Sequence, residues 1–345
     1  MSLLLKRRHR NQWHWTDVAA YIYLCLGVVL MFGPVIWLVM SSFKTPSALM
    51  EFPPSLLPLT QKMAQSSGRE ALPLYTLTQA DGTSREVVQL HRMGIMATIA
   101  SPNHPDQTSQ VSIDALTPER HIEFATDNYT KPLREFNFLR YLKNSLFVTI
   151  VATIITLLIN SMAAYALSIY EFKGRTAILL LVIGTLMIPV TVILVPVYLV
   201  ATKLALVNSL WGVILPGAAT PTGVFLLRQY MLTLPRDLIE AARMDKASEW
   251  QIYWRIVVPL SAPALAVLAI FSVMWRWNDF LWPLVILNKS EVYTLQIALN
   301  AFQGELQVQW HYLLAMTVVT LLPVSLVFVF LQRFITSGIA TTGMK

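Results

Sequence analysis

Along the chain, long stretches without a charged side chain alternate with short, charge-rich ones. Six runs of 20 or more residues lack Asp, Glu, Lys and Arg: Val18 to Phe43, Asn144 to Tyr170, Thr176 to Thr202, Leu204 to Leu227, Ile256 to Trp275 and Trp310 to Gln332. The fifth continues in apolar form to Leu287. About 20 apolar residues at a rise of ~1.5 Å each cover a hydrocarbon core about 30 Å thick. The pattern therefore predicts six transmembrane helices. A signal peptide has an apolar core of only about 7 to 15 residues, so the first run is expected to be a retained helix, with Trp13, Trp15 and Tyr21 as its interfacial anchors. Pro189, Pro196, Pro216, Pro221 and Pro323 fall within the later runs. Each removes a helical hydrogen bond and leaves a carbonyl for another group to satisfy, which fits either a kinked bundle or a transport path.

The block from Lys44 to Lys143 has a different texture. It carries ten basic and ten acidic residues, a composition typical of a soluble domain. Leu72 to Thr78, Glu86 to Leu90, Ile95 to Ala100 and His121 to Ala125 have strand character, with turn signals at Asp81-Gly82 and Ser101-Pro102-Asn103. Pro53-Pro54 and Pro58 read as linker, and the polar stretch Gln61 to Glu70 as mobile. The fold class predicted is an all-α integral membrane protein of six spans with a small β-rich extracytoplasmic insert between helices 1 and 2. Its divisions are a cytoplasmic N-terminus at 1–17, the first helix at 18–43, the insert at 44–143, and a membrane core at 144–345 that contains a cytoplasmic loop at 235–260.

Composition sharpens this picture. Hydrophobic residues make up 55% of the 345 and charged residues 13%, about half the share usual in soluble domains. The net charge of +7 does not gather on one exposed face, which argues against nucleic-acid binding. Instead the basic residues sort by loop. With the N-terminus inside, the short inner segments hold 13 Lys and Arg, against Lys203 and Lys289 in the two short outer loops. By the positive-inside rule both termini are cytoplasmic. The single cysteine, Cys25, permits no intramolecular disulfide, and the six scattered histidines form no i,i+4 pair that would suggest a metal site. Asn128-Tyr129-Thr130 and Asn288-Lys289-Ser290 match the glycosylation sequon, a pattern frequent by chance.

The richest segment runs from Leu234 to Leu260. Pro235 with Asp237 and Glu240 suits the start of one short helix, and Ser248 suits the cap of a second on which Ile252, Tyr253 and Ile256 share a face. Here the chain resembles the permease subunits of binding-protein-dependent ABC importers. Their EAA loop reads Glu-Ala-Ala, two residues, Asp-Gly-Ala, then Ile-x-Leu-Pro after eight more. Glu240, Ala241, Ala242, Asp245, Ala247, Ile256 and Pro259 stand at those spacings. Lys246 replaces the family glycine and Val258 the leucine; a lysine at a left-handed turn between two helices would cost on the order of 1 kcal/mol.

Asn144-Ser145-Leu146, Ala163 to Leu167, Phe172-Lys173-Gly174-Arg175, Phe225 to Arg228, Trp277 to Leu284 and Tyr293-Thr294-Leu295 follow in the order seen in carbohydrate-uptake permeases similar to the smaller maltose-system permease. The resemblance covers about 18–43 and 129–345, and leaves the insert at about 50–128 unexplained. It implies that residues around Glu240 to Ser248, with Ile256 and Pro259, dock in a groove of a cytoplasmic ATPase, where Glu240 pairs with a basic residue or, alternatively, caps its own helix. It implies a second permease subunit, two ATPase subunits and an extracytoplasmic binding protein, in a bacterial-type inner membrane. No Walker A pattern occurs in the chain, so no cofactor is expected on it, and ATP and Mg²⁺ would be used by the ATPase.

Arg276, Trp277, Asn278 and Asp279 lie inside the fifth helix, about twenty residues after its cytoplasmic start and just past its charge-free run. Charged groups there should face the bundle interior or a wet cavity, as a translocation path or as an i,i+3 ion pair. Phe302, Gln303, Gly304 and Glu305 match the tip of the family's loop towards the binding protein. The expected function is carriage of a sugar or polyol without chemistry. Import of glycerol-phosphate or another small polar solute by the same machinery is the nearest alternative, and a channel or secondary transporter a more distant one.

Overall fold

A computed structural model describes residues 15–64, 71–78, 83–102, 104–300, 302 and 308–342. The chain divides into two compact units, 1–130 with 309–318, and 131–308 with 319–345.

In the first unit, α1 (Trp15–Ser42) is long and apolar enough to cross a membrane, with its apolar window wholly unburied within the chain. The insert follows: α2 (Pro46–Leu49), then strands β1 (Leu59–Gln61), β2 (Met63–Ala64), β3 (Leu72–Thr78), β4 (Ser84–Met93), β5 (Met96–Ser101), β6 (His104–Ser112), β7 (Leu116–Pro118) and β8 (Arg120–Ile122). One antiparallel sheet runs β2-β3-β4-β5-β6 with β7 also on β3, and β1 pairs β8. Leu77, Val87, Ala97, Ile99 and Leu116 form one apolar cluster of this sheet, and Leu74, Val88 and Ala100 another.

Strands β3, β4 and β5 fall on three of the expected runs, whereas of His121 to Ala125 only His121 and Ile122 are strand, and β6, with Val111 as its one large apolar residue, follows no apolar alternation and lies outside the expected set. Gln61 to Ala64 differs: Gln61 pairs with Arg120 and Ala64 with Leu72, so these residues are strand rather than mobile linker. Residues 65–70 and the Asp81-Gly82 turn lie outside the described residues.

The two ends of the insert are stapled together. Asn128 Nδ2 donates to the carbonyls of Ser42 and Lys44, each at 2.9 Å. Phe43 packs on Phe124 and Tyr129 with ring centroids 5.5 and 5.1 Å apart. Buried with its amide committed, Asn128 serves as a structural joint and its sequon is occluded.

The second unit holds α3 (Asp127–Glu135), which starts at the unit boundary, α4 (Phe138–Ile169), α5 (Arg175–Thr185), α6 (Val190–Lys203), α7 (Leu210–Ile214), α8 (Pro221–Met231), α9 (Arg236–Met244), α10 (Glu249–Ile252), α11 (Val258–Leu260), α12 (Ala262–Asn278), α13 (Leu281–Ile286) and α14 (Leu295–Asn300). The last helix, α15 (Trp310–Thr342), straddles both units.

Helix α4 is the axis on which α7, α8, α12 and α14 pack. Its packing face is polar: Ser145, Thr149, Thr153, Thr156 and Asn160, spaced four, four, three and four apart, are all buried. Between apolar helices there is no hydrophobic drive to associate, so interhelical hydrogen bonds and close contacts at small residues take over. Ser145 Oγ accepts from Leu295 N at 2.7 Å, and the Thr153 and Ser272 hydroxyls bond at 2.9 Å. Asn160 takes both polar atoms of Thr220, with its Oδ1 accepting the backbone N–H at 3.1 Å and its Nδ2 donating to Oγ1 at 2.6 Å. Gly223 makes that approach possible, because a Cβ there would collide with the Asn160 amide.

Three of the apolar runs are broken rather than straight. The bends are 102° between α5 and α6, 46° at Gly217 to Pro221, and 77° between the 249–260 segment and α12. Proline supplies the first two: Pro189 is the cap residue before α6, and Pro221 opens α8. Among the described residues three helices are long and apolar enough to span a membrane, or up to six if each bent pair counts as one span.

Candidate functional site

The loop at 235–260 is built by local chemistry. Pro235 fixes the extended residue before α9, whose first turn carries Asp237 at the positive end of the helix dipole. Asp245 closes α9, and Lys246 then adopts φ 62°, the left-handed turn anticipated for the family glycine. Ser248 and Gln251 form a complete capping box that opens α10. From Tyr253 to Val257 the helix widens into a π-helical stretch, a geometry frequent at functional sites.

The inner face of this hairpin is a core. Ile239, Ile252, Tyr253 and Val257 pack with Ala164, Tyr165, Leu227 and Met231, and Ala242 and Ala247 lie partly buried against them. Ile256 is half-buried and Pro259 exposed. The outer face presents Glu240, Ala241, Asp245, Lys246 and Ser248 to solvent. Large apolar groups share it, with Met244 84% and Trp250 59% exposed and Leu238 also exposed. Exposed apolar side chains gathered on one face mark an interaction surface. Glu240 sits in the middle of α9 rather than at its end, and makes no hydrogen bond or ion pair among the described residues. Helix capping is thus not its role.

A second carboxylate, missed from sequence, behaves oppositely. Glu249 Oε2 accepts from the Tyr165 and Tyr170 hydroxyls, both at 2.7 Å, while Arg243 Nε donates to Oε1 at 2.8 Å. The Arg243 hydrogen bond, backed by the two phenols, outweighs burial and holds the Glu249 carboxyl down at about 2. The only local signal was the i,i+6 spacing of Arg243 and Glu249 across a turn; the tyrosines are 84 and 79 residues away.

Two predictions arise here. A depressed carboxylate stabilises the fold above its unfolded value of about 4.3, and that contribution fades as pH falls from there through about 2. The difference in thermal midpoint between the parent and Glu249→Gln should therefore be constant above about pH 5 and vanish towards pH 2, as read by thermal melts in detergent. At the turn, Lys246→Gly removes left-handed strain of about 1–2 kcal/mol against a glycine entropy cost of about 0.5–1. It should raise stability by about 0.5–1 kcal/mol, whereas Lys246→Val should lower it; denaturant midpoints test both.

Deeper in the bundle, Arg276 and Asp279 do not pair. Arg276 donates to the carbonyl of Val213 at 3.3 Å and to that of Gly217. Gly217 needs this donor because the residue four positions on is Pro221, which has no N–H. Asp279 Oδ1 instead accepts from Trp282 N at 3.4 Å, at the start of α13. Trp277 is buried with Nε1 on the carbonyl of Thr320 at 3.0 Å. Asn278 is exposed, its amide donating to Met274 O at 2.8 Å. The arginine and the tryptophan are thus committed to holding broken segments together.

The outer loop also differs from expectation. Phe302 is 3% exposed and meets Phe136 edge-on at 4.8 Å, an anchor rather than a tip. Gln303, Gly304 and Glu305 lie outside the described residues. Asn144 Nδ2 donates to the carbonyls of Glu291 and Tyr293 at 3.0 and 2.9 Å, fixing the start of that loop on α4.

A bundle of broken apolar helices, long enough to cross a membrane and with a surface hairpin joined to its core, is the architecture of a polytopic membrane protein. Residues 159–341 match the family described as the binding-protein-dependent transport system inner membrane component, and the chain belongs to that family. It is 41% identical to an arabinooligosaccharide transport system permease protein of Halalkalibacterium halodurans over 202 residues, which are 59% of this chain and 72% of that one. It is 34% identical to an alpha-glucoside transport system permease protein of Rhizobium meliloti over 275 residues, 77% and 69% of the two chains. A chain of a bacterial ABC transporter for import of the acidic polysaccharide alginate shares the fold, with a TM-score of 0.66 at 19% identity. That superposition covers 94% of this chain and 99% of the other, so it runs through most of the insert.

Proposed function

We propose that the chain is a permease subunit of an ATP-driven importer, forming half of the translocation path for a sugar, oligosaccharide or polyol delivered by an extracytoplasmic binding protein. The observation that carries this reading is the 236–252 hairpin, whose outer face combines a free carboxylate at Glu240 with exposed Leu238, Met244 and Trp250 while its inner face is locked to the bundle. The saccharide cargo is inferred from the relatives named above, permease proteins of an arabinooligosaccharide and an alpha-glucoside transport system. In this reading the six charge-free runs are the six spans, the fifth beginning at Ile256, with residues 1–17, the hairpin and the tail cytoplasmic, 44–143 outside and 144–345 the membrane core.

The hairpin docks on an ATPase chain that binds ATP and Mg²⁺; this chain performs no chemistry. Two ATPase subunits and a second permease complete the complex. Arg276 to Asp279 line or support the path, and Gln303, Gly304 and Glu305 are the contact for the binding protein. The test is purification from native membranes in mild detergent, followed by mass spectrometry of the proteins retained. An ATPase, a second permease and a binding protein are the expected companions. Recovery of the chain alone under several detergents would overturn the reading in favour of a channel or secondary transporter.

A further inference from the structure

The hairpin carries two carboxylates with opposite fates. Glu240 is exposed and makes no hydrogen bond or ion pair among the described residues, whereas Glu249 receives four donor contacts from three side chains on two segments. Tyr165 comes from the last turns of α4, Tyr170 from the residue that ends it, and Arg243 from the last turn of α9, with Nε at 2.8 Å and Nη2 at 3.3 Å. The phenol rings of Tyr165 and Tyr170 pack edge to face at 5.4 Å, and Tyr165 lies 5.4 Å from Tyr253, whose hydroxyl bonds Ser161 at 2.6 Å. Glu249 thus stands where α9, α10 and the inner end of α4 meet.

We propose that Glu249 is a latch that fixes the angle between the hairpin and α4, so that a push on the hairpin moves α4 and α12 as one body. It is a positioning residue and touches no partner itself. The physical argument is a contrast between two kinds of contact. The apolar core under the hairpin is non-directional and tolerates sliding. A carboxylate held by one guanidinium and two phenols has fixed bond directions and is charge-assisted, so it resists rotation. The covalent path from α10 to α12 is weak for this purpose, since it passes through a π-helical stretch and a 77° bend at Ser261. With the latch open, the hairpin could follow its partner while α4 stayed behind.

This inference rests on the proposed docking of the hairpin to an ATPase, and the experiment separates the two. In a Cys25→Ser background, a reporter Leu281→Cys is placed just beyond the outer end of α12. The tagged complex is isolated from native membranes, and its maleimide labelling rate is measured with and without MgATP and vanadate. The expected parent behaviour is a retained ATPase chain and a labelling rate that changes with nucleotide. Glu249→Ala should keep the ATPase chain and lose the nucleotide-dependent change. Pairing Arg243→Glu with Glu249→Arg, which restores a salt bridge and lets an arginine donate to both phenolic oxygens, should recover part of it.

A Glu249→Ala complex with the full nucleotide-dependent change would overturn the latch. So would selective loss of the ATPase chain from that variant, which would make Glu249 a docking contact. Absence of an ATPase from the parent complex would instead defeat the docking reading. Should Glu249→Ala fail to fold, the double variant Tyr165→Phe with Tyr170→Phe decides: it removes two hydroxyls and keeps both rings, and an undiminished nucleotide response there would equally sink the latch.

Discussion

Replacing Arg276 by leucine is expected to destabilise the bundle by about 2–4 kcal/mol, the largest effect of any single substitution at a sequence-predicted path residue. The guanidinium is the donor for the carbonyls of Val213 and Gly217, at the break between α7 and α8. Pro221 cannot supply the missing N–H for Gly217, and in the membrane interior water does not replace it. Each orphaned carbonyl costs about 1–3 kcal/mol. Leucine avoids burying a charge, yet an unpaired arginine in lipid costs about 2.5–3.5 kcal/mol before the helices associate. Assembly relieves that cost in the parent, so the variant loses a driving force for packing.

Gly217→Ala probes the same contact from the other side. A Cβ there would lie 2.6 and 2.8 Å from the Arg276 Nη2 and Nη1 atoms, forcing the guanidinium away. The two substitutions should be strongly non-additive, with Gly217→Ala nearly neutral once Arg276 is leucine. Denaturation midpoints of the four proteins in detergent micelles complete the cycle; simple additivity would show that Arg276 does not act through Gly217.

Glu240→Lys should abolish coupled transport while leaving the permease folded. Glu240 is exposed on α9 and free of partners among the described residues, so the substitution should change stability by no more than about 0.5 kcal/mol. On the proposed docking face the reversed charge meets a basic partner, and like-charge juxtaposition at an interface costs several kcal/mol. A loss of about 3 kcal/mol weakens docking on the order of 100-fold. Thermal melts of the isolated chain should be unchanged, while the ATPase subunit should no longer co-purify and ATP hydrolysis should no longer respond to substrate. Normal substrate-stimulated hydrolysis in the assembled variant would refute this role.

Much of this protein is legible in its sequence because the signals are local. A span needs only an uninterrupted apolar run, and a strand only alternation, so α1, α4 and strands such as β3 and β5 follow directly. The 236–252 hairpin is equally local: the capping box joins Ser248 to Gln251, three residues away, and the left-handed turn falls at Lys246. Tertiary structure decided the rest. The partners of Arg276 are 59 and 63 residues distant, and those of Glu249 up to 84. Nothing near Arg276 in the chain shows that a proline elsewhere has left a carbonyl open, so the sequence alone offers Asp279 at i,i+3 as its partner. Phe302 reads as a loop tip in sequence, yet Phe136, far earlier in the chain, packs against it. Helices and caps are fixed by neighbours within a turn or two; the use to which a charged or aromatic side chain is put depends on which unsatisfied group the fold carries to it.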